Sequence, residues 1–298
     1  MNDIIVGVDA STSAEHALDR ALLEAERTGR TLRVVHAWTT PAWIGGPMTG
    51  LALTLPSPAD SRTAARSLVD ELLAKAMIRR PSRAHVDVRV QVEEGDPARV
   101  LTRLSREAAL LVVGGSGHGQ LASALLGSVT TYVLHHVSAP VMVVPHSTDV
   151  RPFERVVVGV DGSVGSRAAL EWGADAAVSL GIPLVAVHAW VVHASGLPSV
   201  YGELPDVETY GNDARTWLDI ELAATLPAAV AAAAVRRTPC GFAAGALLDE
   251  AGPADLLVLG SRGRGGFSSL LLGSVASQTA THACSAVVVV KAHDRVTS

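Results

Sequence analysis

Short apolar runs alternate along the chain with amphipathic stretches. Ile4 to Val8, Leu32 to Ala37, Leu110 to Val113 and Val141 to Val144 are continuous apolar runs. Such runs fit strands covered on both faces. Val86, Val88, Val90 and Val92 instead alternate with polar residues, the pattern of a half-buried strand at a sheet edge. Between them the pattern predicts helices. Ser11 or Ser13 can cap one that runs to about Thr28, where Gly29 ends it. Ala59 to Arg80 carries an Ala/Leu stripe, Asp96-Pro97 starts a third helix, and a fourth runs from about Gly127 to His136. Thr39 to Pro58 reads as a long loop rich in Pro, Gly and Thr.

The whole pattern then repeats. Val6-Gly7-Val8-Asp9 returns as Val158-Gly159-Val160-Asp161, and Val35-His36-Ala37-Trp38 returns as Val187-His188-Ala189-Trp190. Leu125-Leu126-Gly127-Ser128-Val129 returns as Leu271-Leu272-Gly273-Ser274-Val275. Agreement in the same order marks a duplication, with domains expected at 1–146 and 153–292. A polar, turn-prone stretch at His146-Ser147-Thr148-Asp149 separates them. The second copy has a weaker third strand, because Val235-Arg236-Arg237-Thr238-Pro239 is a poor strand sequence. Buried strands alternating with helices predict two tandem, open, parallel five-stranded sheets with helices on both faces, a Rossmann-like α/β fold. With strand order 3-2-1-4-5, a ligand would sit beyond the C-terminal ends of strands one and four. Asp9 and Gly114 end those two strands.

Composition narrows the function classes. Hydrophobic residues make up 48% of the 298 and aromatics 4%, so Ala, Val and Leu must build the cores. The longest apolar run, Ala228 to Val235, is far below the ~20 residues that span a bilayer, so no membrane association is expected. A net charge of -5 offers no basic field for nucleic acid. The first residues show no basic n-region or cleavage site. Cys240 and Cys284 lie outside any metal-type spacing and read as reduced thiols, so a cytoplasmic protein is expected.

The glycines carry the chemistry. Gly114-x-x-Gly117, nine residues, then Gly127-Ser128 is matched by Gly260-x-x-Gly263, nine residues, then Gly273-Ser274. In each copy the first pair follows a buried strand and the last pair opens a helix. Glycines let backbone N–H groups approach an anion, and a helix N-terminus adds unpaired N–H groups and partial positive charge. Ser128 and Ser274 can donate a hydroxyl to the same anion. A carboxylate at Asp9 or Asp161 can bond a ribose hydroxyl or a base edge, or cap the following helix. His36 and His188 read as packed histidines, without a carboxylate or Cys cluster to make a metal site. The small Ala37 and Ala189 leave room for an adenine edge to pair with main chain.

Gly-Val-Asp-Gly-Ser at 159–163, Val-His-Ala-Trp, and the run from Gly260 to Val275 together resemble the universal stress protein family. The tandem arrangement resembles its two-domain actinobacterial members, and the resemblance covers nearly the whole chain. It implies sheet order 3-2-1-4-5, ATP with Mg as ligand, stress-response roles in the cytoplasm and dimerisation through the fifth strand. The fifth strands, Val141 to Val144 and Val287 to Val290, are apolar edges that need cover, so the two copies are expected to pack on each other through them. It implies that Gly7 and Asp9, and Gly159 and Asp161, hold the nucleoside, with Ala37 and Ala189 on adenine. Gly114, Gly117, Gly127, Ser128 and Val129 would hold phosphates in the first copy. Gly260, Gly263, Gly273, Ser274 and Val275 would do so in the second, where Arg262 and Arg264, both charged, offer further hydrogen bonds to phosphate on the residues' own chemistry. Where the second copy has Arg262 and Arg264, the first has Ser116 and His118; Ala10 replaces Gly162 and Ala109 replaces Asp255. The expected function is an ATP-binding regulatory protein acting as a homodimer. No Walker motif and no evident base to position water are present, so an enzyme is not expected. A slow ATPase or nucleotidyl transferase on the same fold is the alternative, and a scaffold without ATP is a further one.

Overall fold

A computed structural model describes residues 3–39, 57–79, 85–115, 126–146, 150–191, 207–264 and 271–292. The strands of the first copy are β1 (Ile4–Gly7), β2 (Leu32–Trp38), β3 (Val88–Glu94), β4 (Leu110–Gly114) and β5 (Val141–Val144). Those of the second are β6 (Arg155–Gly159), β7 (Leu184–Val187), β8 (Val235–Arg237), β9 (Asp255–Gly260) and β10 (Ala286–Val290). The helices are α1 (Thr12–Thr28), α2 (Pro58–Arg79), α3 (Pro97–Leu104) and α4 (Ser128–His136), then α5 (Val164–Leu180), α6 (Val207–Thr225), α7 (Ala228–Ala233), α8 (Ala243–Glu250) and α9 (Ser274–His282). The loop expected at 39–58 lies almost wholly outside the described residues.

Each copy has the expected order 3-2-1-4-5, and every pairing within a copy is parallel. The two sheets are not separate. β5 and β10 pair antiparallel, Val287 opposite Val143 and Val289 opposite Val141, giving one ten-stranded sheet ordered β3-β2-β1-β4-β5-β10-β9-β6-β7-β8. All four residues of β5 and all five of β10 are buried, as strands this apolar must be to avoid an aggregating edge. The fifth strands meet within one chain, so strand pairing between two chains has no free fifth strand to use. The outer edges are β3, half-buried, and β8, three residues long and bearing Arg236 and Arg237. The short β8 is extended by a bridge from Trp190 to Cys240, and the Trp190 indole donates to the Thr238 carbonyl at 2.9 Å.

Alternation in the strands builds a core on each side of the sheet. In β10, Val288 and Val290 join the core under α1, α2, α5 and α6, while Val287 and Val289 join the core under α3, α4, α8 and α9. Both cores run through both copies. The linker contributes as well. Phe153 is buried against the Arg20 guanidinium, 3.9 Å from its ring centroid, and Arg20 Nη2 donates to the Arg151 carbonyl at 2.9 Å.

Caps set the helix positions. Ser11 and Ser163 each accept the N–H three residues on, and Gly29 and Gly181, both at φ 64°, end those helices. Asp96 caps α3 with Pro97 in its first turn. The N-caps of α4 and α9 are Gly127 and Gly273, which have no side chain to offer. Both helices therefore begin with backbone N–H groups that no cap side chain satisfies.

Candidate functional site

Two clefts open at the C-terminal ends of the central strands, one per copy, of about 210 Å³ and 490 Å³. The first is lined by Gly7, Asp9, Ala37, Gly114, Gly127, Ser128 and Val129. The second is lined by Gly159, Asp161, Ala189, Gly260, Arg262, Gly263, Arg264, Gly273, Ser274 and Val275. Every site residue singled out in the sequence is thus gathered into its cleft except Gly117, which lies outside the described residues, as do Ser116 and His118.

The glycine spacing has a structural cause. Gly127 N–H donates to the Gly115 carbonyl at 2.9 Å, and Gly273 N–H to the Ser261 carbonyl at 2.7 Å. These bonds close the neck of each loop and place the bare N-terminus of α4 or α9 beside the end of β4 or β9. At Gly260 a Cβ would stand 2.5 Å from the Gly165 backbone carbon, so only glycine lets the start of α5 lie this close to β9. At Gly263 a Cβ would collide with Asp161 Oδ2, while its φ lies outside the left-handed range. Space rather than backbone conformation requires glycine there.

The aspartates are not helix caps. Asp9 Oδ1 accepts the Ser11 N–H at 3.0 Å and also the Ser11 hydroxyl, and Ser11 in turn caps α1. Asp161 Oδ1 likewise accepts the Ser163 N–H at 3.0 Å. Its other oxygen, Oδ2, accepts the Arg264 N–H at 2.9 Å, tying the second glycine loop to the end of β6. Ser163 Oγ adds a bond to the Arg262 carbonyl at 3.2 Å. Asp161 therefore holds the glycine loop of its cleft as well as facing it, while Asp9 holds the turn into α1.

Among the described residues, charge is uneven between the clefts. The second carries Arg262 and Arg264, both always protonated. Beside it Glu221 receives a bidentate pair from Arg167, at 2.9 and 2.8 Å. That hydrogen-bonded guanidinium, with Arg264 nearby, holds the Glu221 carboxyl below the usual carboxylate range against the opposing effects of burial and Asp161. Trp217 fills the space beside Gly162, whose φ of 76° a side chain would rarely adopt.

His36 and His188 bind main chain. Their Nδ1 atoms lie 2.8 Å from the carbonyls of Val8 and Val160, locking the ends of strands one and two together in both copies. The His188 ring also rests on Trp217, at 4.2 Å between centroids. Among the described residues no group of three or more His, Cys, Asp or Glu is placed to hold a metal ion. No helix among them is long and apolar enough to cross a membrane.

The sequence does not single out Leu101 on α3 or Leu247 on α8, yet each supplies an apolar wall of its cleft. A signal existed, because Ala98 and Leu101 recur as Ala244 and Leu247 with the same spacing. The poor third strand of the second copy hid it.

The sequence model of the universal stress protein family matches residues 1–145 and again 152–291. A universal stress protein of Mycolicibacterium smegmatis is 33% identical over 294 residues, covering 97% of this chain and 96% of that protein. Universal stress protein Rv2623 of Mycobacterium tuberculosis is 31% identical over 296 residues, covering 97% and 96%. The crystal structure of a universal stress protein from Archaeoglobus fulgidus superposes with a TM-score of 0.67 at 19% identity, over 98% of this chain and 99% of that one, a likeness of fold.

Proposed function

The chain belongs to the universal stress protein family, a family of stress-response proteins, and from that premise we propose that it is an ATP-binding regulatory protein with one nucleotide site in each copy. One observation carries this reading. In both copies a helix N-terminus without a side-chain cap is pinned beside the end of a central strand, in a cleft that also holds a carboxylate and an apolar wall. Uncapped N–H groups and the helix dipole suit phosphate. The wall of Leu101 or Leu247, with Ala37 or Ala189 beside it, suits a flat base. Asp9 or Asp161 suits ribose hydroxyls. Mg would arrive with the phosphates, which with water supply most of its octahedral oxygens.

The role is regulatory rather than catalytic. Among the described cleft residues the titratable groups are Asp9 in the first copy and Asp161, Arg262 and Arg264 in the second. The Asp9 and Asp161 carboxylates already accept backbone N–H groups, a poor preparation for acid–base work on a water.

The test is to denature protein purified without added nucleotide, identify what is released, and assay the native protein for turnover. Release of adenine nucleotide with negligible turnover supports the reading. A nucleotide-free protein that ATP does not bind would overturn it, and rapid turnover would favour the enzymatic alternative.

A further inference from the structure

Resting on the nucleotide reading, we propose that Lys291 is a third cation at the phosphate end of the second cleft, held in place by the first copy, and that it makes this cleft favour nucleotides with a polyphosphate chain. The register places it there. The Val290 carbonyl, at the end of β10, accepts the Ser261 N–H at 2.8 Å, so Lys291 leaves the sheet alongside Ser261 and Arg262. Alternation along β10 then fixes its side. Val287 and Val289 face the core under α4, α8 and α9, Val288 and Val290 face the other core, and the next side chain returns to the first. That is the side from which Leu247 and Ala276 line the second cleft.

The ammonium does not hang free. Lys291 Nζ donates to the His135 carbonyl at 2.7 Å, in the last turn of α4. The C-terminal end of a helix attracts a cation, so the first copy holds the charge, which lies within electrostatic reach of Arg262 at the second cleft. Burial, and then the Arg262 guanidinium, push this ammonium below the usual lysine range. A phosphate settling on the loop would relieve the repulsion between the two cations. The first copy repeats the backbone and omits the charge. Gly115 N–H donates to the Val144 carbonyl at 2.8 Å, and the residue that follows is Pro145.

A nucleoside monophosphate would engage the helix N-terminus with its single phosphate. A longer chain extends toward Arg262 and Lys291, so the lysine should discriminate by phosphate number. The bland role is a cap on α4, and two variants separate the roles. Lys291→Gln keeps a donor for the His135 carbonyl and removes the charge; Lys291→Arg keeps both. Calorimetric titrations of the full chain with ATP and with AMP, fitted to two sites, provide the readout, with thermal midpoints of the ligand-free variants alongside. The expected result for Lys291→Gln is ATP affinity weakened about fivefold at one site, AMP affinity unchanged, and Lys291→Arg equal to wild type. If Lys291→Gln binds ATP as wild type does, or loses ATP and AMP equally, the proposal is overturned while the nucleotide reading stands. If wild type binds neither nucleotide, the nucleotide reading falls and takes this inference with it.

Discussion

Asp161 Oδ2 accepts the backbone N–H of Arg264 at 2.9 Å, joining the end of β6 to a loop 103 residues further along the chain. Gly263 lies between them with no room for a Cβ beside that oxygen. In the second copy the contact explains why this aspartate requires this glycine. The carboxylate that closes strand one also shapes the loop that follows strand four.

Gly263→Ala is therefore expected to push the loop off Asp161 and to weaken ATP binding at the second cleft by about tenfold, with little loss of overall stability. Calorimetry with a thermal-melt control checks this. Because the fault is a collision with one oxygen, Gly263→Ala should cost much less when added to Asp161→Ala than when made alone. Simple addition of the two effects would contradict the contact.

The two clefts should differ in affinity. Arg262 and Arg264 line the second, where the first copy has Ser116 and His118 in sequence. One well-placed arginine on a partly solvated phosphate contributes about 1 kcal/mol, roughly fivefold, and two can exceed tenfold. Asp9→Ala and Asp161→Ala variants, each left with one working cleft, should show the second cleft tighter and more salt-sensitive. Equal affinities and equal salt slopes would rule out the asymmetry.

Glu221 should make stability beside the second cleft depend on pH. Arg167 holds its carboxyl below the ordinary range, so the folded-state value lies below the unfolded one. Its contribution is fully present above the unfolded carboxylate value of about 4.3, and is lost as pH falls through the lower folded value. Denaturant unfolding should find Glu221→Gln less stable than wild type at neutral pH and equal to it in strong acid. A gap that stays constant across that range would contradict the ion pair.

Much of the fold was legible because strong local signals agreed. Apolar runs such as Ile4 to Val8, the Ser11 and Asp96 caps and the Gly29 stop all act within a few residues, and the structure follows them. The cleft residues were legible because duplication showed which glycines recur. What escaped depends on contacts distant in sequence. The apolar fifth strands need cover and so point to packing of one copy on the other, but nothing local gives their antiparallel register or the single ten-stranded sheet that results. Nothing local marks Arg20 as a buried residue stacked on Phe153, 133 positions later (153 less 20). The sequence marks His36 and His188 as packed, but the carbonyls of Val8 and Val160 that hold them become visible only when strands one and two lie side by side.

The most direct test of the central claim is the ATP stoichiometry of the full chain by calorimetry. Wild type should bind two per chain, Asp9→Ala one, Asp161→Ala one, and the folded double variant none. A wild type that binds no ATP, or a stoichiometry that neither aspartate changes, would contradict the assignment of a nucleotide site to each cleft.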